Sequence, residues 1–142
     1  DAHLTLCCAE SCTGGLLSAR ITDIPGASAV FLGSAVTYSN AAKTALLGVS
    51  PDTLAAHGAV SAETAREMAV GVRTRFSADV GISITGIAGP ASDDTKKPVG
   101  LVYIALAHAD GVDVREFHFS GSRERIRRAS ASNALDMLRR LP

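Results

Sequence analysis

The chain is predicted to be an α/β protein, a three-layer α/β/α sandwich built on a mostly parallel sheet, with one domain over residues 1–142. Three observations carry that expectation. Short apolar runs alternate with segments of helical periodicity, in the order β-α-β-α-α-α-β-β-β-α. The first run, residues 4–9, is apolar at nearly every position, as in a central strand covered on both faces. Asp110-Gly111 joins two late runs as a hairpin, which supplies one antiparallel member.

Each element has its own signals. Residues 14–24 repeat apolar side chains at Leu16, Leu17, Ala19, Ile21 and Ile24 at near-helical spacing, and Pro25-Gly26 ends the run. Residues 30–37 carry Val, Phe, Leu and Val and read as a second strand. Ser39-Asn40 is a natural N-cap for a short helix over 41–47, and Gly48 stops it. Pro51–His57 is another short helix, with Pro51 in its first turn and Gly58 past its end. Ser61 caps a longer helix, Ala62–Phe76, with Glu63 near its positive end. A third strand over 79–85 stops at Gly86. The loop 86–98 that follows is rich in Gly, Pro, Ser and Asp, and its length marks it as functional. Residues 99–108 and 112–119 are the hairpin strands. Residues 122–141 form a basic amphipathic helix that turns Ile126, Ala129, Leu135, Met137 and Leu138 to the core.

Composition excludes several classes of function. The 14 basic and 14 acidic residues cancel, so no global field recruits nucleic acid or an anionic membrane. Any anion site must be local. No apolar run approaches the ~20 residues of a membrane span, and no signal peptide is visible. Cys7, Cys8 and Cys12 crowd into one turn and suggest reduced thiols in a cytoplasmic protein, not a disulfide framework. No second Cys/His cluster completes a zinc site. A few aromatics and zero net charge argue against nucleic-acid binding through the basic run at 123–128.

In parallel sheets, ligands gather where strands end and helices begin. Three such exits carry useful chemistry here: Glu10-Ser11-Cys12-Thr13-Gly14-Gly15, Tyr38-Ser39-Asn40 with Lys43, and Thr85-Gly86-Ile87-Ala88-Gly89-Pro90. The first is neither a Walker A nor a Rossmann pattern. It places Ser11 ahead of a helix start, where N–H groups from Cys12, Thr13 and Gly14 can hold a phosphate or an oxyanion. Ser11 or Thr13 capping that helix is the plainer alternative.

A serine nucleophile needs a base. None of the four histidines follows a strand-to-helix loop: His3 precedes a strand, His57 ends a helix, and His108 and His118 lie on the hairpin. Lys43 is the better candidate. With Asn40 as N-cap, it sits in the first helical turn, where the macrodipole and partial burial both disfavour an ammonium. Tyr38, five residues earlier, could relay a proton or orient the pair. Taken alone, a surface lysine beside a half-buried tyrosine explains the same residues.

Thr85, Gly86, Ala88 and Gly89 let backbone approach a ligand closely, or simply turn the chain. Asp93 and Asp94 read as solvated carboxylates, with a weak Mg²⁺ role as the other option. The run Arg123-Glu124-Arg125-Ile126-Arg127-Arg128 reads as a solvated helix face. Arg123 is its exception, because a cation in the first turn calls for an anion.

Together these segments resemble the C-terminal domain family of the competence/damage-inducible protein CinA, whose stand-alone members are nicotinamide-nucleotide amidases. The resemblance covers essentially the whole chain. It is carried by AESCTGG at 9–15, PGAS at 25–28, FLGSAVTYSNAAK at 31–43, LLGV at 46–49, HGAVS at 57–61, TGIAGP at 85–90, KPVGLVYIA at 97–105 and GSRERIR at 121–127. It implies a five-stranded mixed sheet and hydrolysis of nicotinamide mononucleotide to nicotinic acid mononucleotide and ammonia, without metal or cofactor. The family serine, tyrosine and lysine fall on Ser11, Tyr38 and Lys43.

On this reading Ser11 attacks the carboxamide, Lys43 takes its proton directly or through Tyr38, and N–H groups near Thr13 and Gly14 hold the oxyanion. Glu10, Thr13, Gly14, Gly15, Asn40, Thr85, Gly86, Ala88, Gly89 and Arg123 are the expected substrate-binding positions, with Arg123 on the 5′-phosphate. A homodimer or larger homo-oligomer is expected. The rival expectation is a non-catalytic nucleotide-binding module serving a partner domain.

Overall fold

The computed structural model describes residues 3–92 and 95–141. Its elements run β1 (Leu6–Glu10), α1 (Leu16–Thr22), β2 (Phe31–Val36), α2 (Asn40–Leu47), α3 (Pro51–His57), α4 (Ala62–Phe76), β3 (Val80–Gly86), β4 (Leu101–His108), β5 (Gly111–His118) and α5 (Arg123–Arg139). A short 3₁₀ turn, Ala27–Ala29, follows α1. The five strands make one sheet in the order β2-β1-β3-β4-β5. β1 pairs parallel with β2 and β3, while β4 runs antiparallel to β3 and β5. β4 is therefore the one reversed strand, as the hairpin signal predicts.

Helices cover both faces, and the side chains of the central strands sort between them. Cys8, Ile82, Ile84, Val102 and Ile104 meet Leu17 and Ile21 of α1 and Ile126, Ala131 and Ala134 of α5 in the larger core. Cys7 and Ala9 pack on the other side with Leu47, Met68 and Val72. β3 turns only small residues toward α4. A Cβ on Gly81 would lie 2.6 Å from the carbonyl of Ala69, and Ser83 Oγ donates to Ala65 O at 2.6 Å. Small side chains there let helix and strand backbones approach closely.

Serine hydroxyls cap four of the helices, two of them, at 39 and 61, where the sequence leads one to expect a cap. Ser39, Ser50, Ser61 and Ser122 accept from the N–H groups of Ala42, Asp52, Thr64 and Arg125. Element ends shift by one to a few residues from expectation, and two of the shifts bear on the site. Asn40 is the first residue of α2 and not its cap, which moves Lys43 one place deeper. α1 begins at Leu16, because Gly14 and Gly15 both take positive φ, +59° and +106°. An L side chain rarely adopts that conformation, so the adjacent glycines are a backbone requirement. Among the described residues, no helix is long and apolar enough to cross a membrane.

Parallel pairing aligns the exits of the strands. Glu10 lies opposite Val36 on one side and Ile84 on the other. Ser11 N–H then donates to Ile84 O, and Thr37 N–H to Glu10 O. The three exits predicted to share an edge leave the sheet side by side.

Candidate active site

At that edge lies a cleft of about 260 Å³ lined by Ser11, Cys12, Tyr38, Lys43, Arg123 and the strip from Thr85 to Gly89, with Ala59 and Val60 beside that strip. Its chemical centre is a contact between two buried side chains. Lys43 Nζ lies 3.0 Å from Ser11 Oγ, and Lys43 is only 1% exposed. Helical side chains tilt toward the N-terminus, so Lys43 reaches back over the turn to the end of β2. There its amine also donates to Thr37 O at 2.7 Å, with Tyr38 O at 3.5 Å.

Removal from water is the main reason the lysine pKa falls, to about 8 from 10.5; the neighbouring Cys12 acts weakly the other way. The sequence reading names the helix dipole and partial burial together as reasons for a depressed lysine pKa, and burial is the leading cause here. A neutral amine here has two N–H groups for the carbonyls of Thr37 and Tyr38. Its lone pair is left for the hydroxyl of Ser11. Burial pushes the thiol of Cys12 up to about 11, so it stays protonated beside the serine.

The outer part of the cleft is different. Tyr38 is 63% exposed, and its phenol oxygen accepts from Arg123 Nη2 at 3.1 Å. Arg123 Nη1 donates to Gly89 O at 2.7 Å. The phenol therefore belongs to the rim, and only the backbone carbonyl of Tyr38 touches Lys43. Ser11 and Lys43 meet directly, with no phenol between them. Thr85 is buried and its hydroxyl is committed to Ala59 O at 2.7 Å, so it holds the cleft wall. Behind the cleft residue Val60, Lys97 ties the backbone together by donating to His57 O and Val60 O. None of the four histidines lines the cleft.

Several expected binding positions have other partners. The Glu10 carboxylate is fully buried and accepts from the N–H groups of Gly15, Leu17 and Ser18 and from Ser18 Oγ. It takes the capping role at α1 that serines hold elsewhere, and it does not line the cleft. Gly15 N–H is spent on Glu10, and Gly14 N–H on Ser11 O at 3.1 Å. Thr13 is fully buried, and neither it nor Asn40 lines the cleft. The Thr13 N–H has no acceptor among the described residues, and the Cys12 N–H meets only its own thiol. Cys12 stands on the cleft wall, so the available donor nearest the serine is the one immediately after it. Asp93 and Asp94 lie outside the described residues.

One residue escaped the reading of the basic run. Arg127 is half-buried, and its Nε and Nη2 donate to Cys12 O at 3.0 Å and Thr13 O at 2.8 Å. The signal was present: Arg127 lies four residues after Arg123 and between the buried Ile126 and Ser130.

Comparison with known proteins agrees with this architecture. The chain is 56% identical over 139 residues to a CinA-like protein of Desulfovibrio desulfuricans, covering 96% of this chain and 33% of that protein. It is 53% identical over 140 residues to a CinA-like protein of Geobacter metallireducens, covering 99% of this chain and 34% of that one. It thus spans about a third of the length of the curated relatives it matches. The crystal structure of the competence/damage inducible protein CihA from Agrobacterium tumefaciens superposes with a TM-score of 0.92 at 44% identity, over 96% of this chain and 84% of that one. A CinA superfamily protein from Escherichia coli superposes with a TM-score of 0.94 at 34% identity, over 96% and 79% of the two chains. The family model described as the CinA C-terminal domain matches residues 1–141. With that match over nearly its whole length, the chain belongs to the CinA C-terminal domain family.

Proposed function

We propose that this domain is an amidohydrolase that converts nicotinamide mononucleotide to nicotinic acid mononucleotide and ammonia through an acyl-enzyme on Ser11. The carrying observation is the buried contact of Ser11 Oγ with Lys43 Nζ at 3.0 Å. A lysine brought near neutrality by burial is a suitable base for a hydroxyl, and a binding module has no need of one. The choice of substrate rests on the family resemblance. It is supported by a cleft that offers Arg123 to an anion and Val60, Ile87 and Ala88 to an apolar ring.

In the acylation step, Ser11 Oγ bonds to the carboxamide carbon as Lys43 accepts the hydroxyl proton. The carbonyl electron pair moves onto oxygen, where the Cys12 N–H is the nearest available donor. Collapse of the intermediate breaks the C–N bond, and the Lys43 ammonium returns its proton to the leaving amide nitrogen. Ammonia departs. Water then attacks the ester, Lys43 takes the water proton, and Ser11 regains it as the acid leaves. Arg123 at the rim is assigned to the 5′-phosphate. The direct test is ammonia release from nicotinamide mononucleotide by wild type and Ser11→Ala. Turnover by wild type that is lost in the variant supports the reading, whereas equal ammonia release from both would reject the nucleophile.

A further inference from the structure

We infer that Arg127 is a positioning residue: from α5 it locks the turn at residues 11–14 so that the Cys12 N–H faces the reacting carbonyl. This inference rests on the amidase reading for its catalytic consequence, but the lock is a property of the turn itself.

In a trans peptide the C=O and N–H of one unit point in opposite directions, so holding one aims the other. The turn contains three such units. Arg127 Nε holds Cys12 O, which fixes the unit that carries the Thr13 N–H. Arg127 Nη2 holds Thr13 O, which fixes the unit that carries the Gly14 N–H. That N–H meets Ser11 O at 3.1 Å and so fixes the remaining unit, the one that carries the Cys12 N–H. The guanidinium thereby acts on all three planes: it is the side chain that holds Cys12 O, and it shares Thr13 O with the Leu16 N–H, which donates at 3.1 Å. The fork geometry matters, because two donors on a rigid plane specify the relative tilt of two carbonyls.

The packing around the turn fits this role. Gly14 lies beside the guanidinium, where a Cβ would make ordinary contact with Arg127 Nη2 at 3.5 Å, and its positive φ of +59° is what favours glycine there. On the opposite flank, Glu10 takes the N–H groups of Gly15, Leu17 and Ser18. Carbonyls are drawn toward α5 and later amides toward Glu10. The Thr13 amide is left without an acceptor among the described residues and the Cys12 amide with only its own thiol, next to the nucleophile. Arg127 does not line the cleft, so it acts through the turn and not on substrate.

Arg127→Ala and Arg127→Lys test the inference by two readouts. With nicotinamide mononucleotide, kcat should fall about 100-fold in Arg127→Ala, with KM within about twofold of wild type. An oxyanion donor acts chiefly on the transition state, which gives that split. Arg127→Lys, with one point donor, should recover about tenfold of the loss. The amide signals of Cys12 and Thr13 in ¹⁵N–¹H spectra should shift or broaden in Arg127→Ala without substrate, while those of α2 and β3 stay in place. Unchanged kcat in a folded Arg127→Ala overturns the catalytic consequence, and unchanged Cys12 and Thr13 signals overturn the lock. A general loss of dispersed signals in both variants would make Arg127 a folding residue and reject the positioning role. A wild type that releases no ammonia rejects the amidase reading, and the spectra still decide the lock.

Discussion

The floor and the rim of the cleft are built on opposite principles. On the floor, Lys43 is 1% exposed and held by Ser11 and the carbonyl of Thr37. At the rim, Tyr38 is 63% exposed and paired with Arg123. Burial on the floor changes the chemistry of an amine, whereas exposure at the rim leaves a cation charged and accessible. In the proposed reaction, proton transfer belongs to the floor and anion recognition to the rim.

The floor should give the largest effects. Lys43→Ala is expected to lower kcat about 10³-fold, within the range of general base catalysis, with KM nearly unchanged. Steady-state ammonia release checks this, and a loss confined to KM would move the lysine from base to binding group. In the wild type the base must be neutral, and its pKa stands at about 8. Activity should therefore rise about tenfold per pH unit up to about pH 8 and level off above it. A flat profile between pH 6 and 8 would remove Lys43 from the proton transfer.

The same burial has a stability cost with a defined sign. Below about pH 8 the lysine is protonated in both folded and unfolded chains, and the fold carries the full penalty of a buried ammonium. Between about 8 and 10.5 the folded chain gives up its proton first, and the penalty fades as pH rises. The displacement corresponds to about 3 kcal/mol. Lys43→Met removes that penalty but leaves the carbonyl of Thr37 without its donor, at a cost of about 1 kcal/mol. Denaturant melts at pH 7 should find the inactive variant more stable by about 2 kcal/mol, with the gap closing toward pH 10.5. A less stable Lys43→Met at pH 7 would show that the amine contributes more as a hydrogen-bond donor than its desolvation costs.

Rim substitutions are expected to be milder and to act on binding. Arg123→Ala should raise KM about tenfold and lower kcat little, the pattern of a contact equal in ground and transition states. Tyr38→Phe, which takes away only the acceptor for Arg123, should raise KM about threefold. A kcat loss beyond tenfold in Tyr38→Phe would bring the phenol back into the proton path and erase the distinction between floor and rim.

Local chemistry made much of this molecule legible from the chain alone. Serine caps at 39 and 61, the Asp110-Gly111 hairpin and the small residues around the strand exits depend on near neighbours. They read correctly for that reason. Ser11 and Lys43 were paired in advance because a hydroxyl needs a base and no histidine stood at a suitable strand exit. What needed three dimensions were the contacts across the fold. Glu10 is a carboxylate in a promising loop until its four donors, three from α1 and one from Gly15 just before it, are seen. Arg127 is one of several arginines on a basic helix until α5 packs beside a turn more than a hundred positions earlier in the chain. Spacing along a chain reports which groups can be neighbours within one element. Which carbonyl a guanidinium holds, and which amide is thereby left free, depends on how the two helical layers close over the sheet.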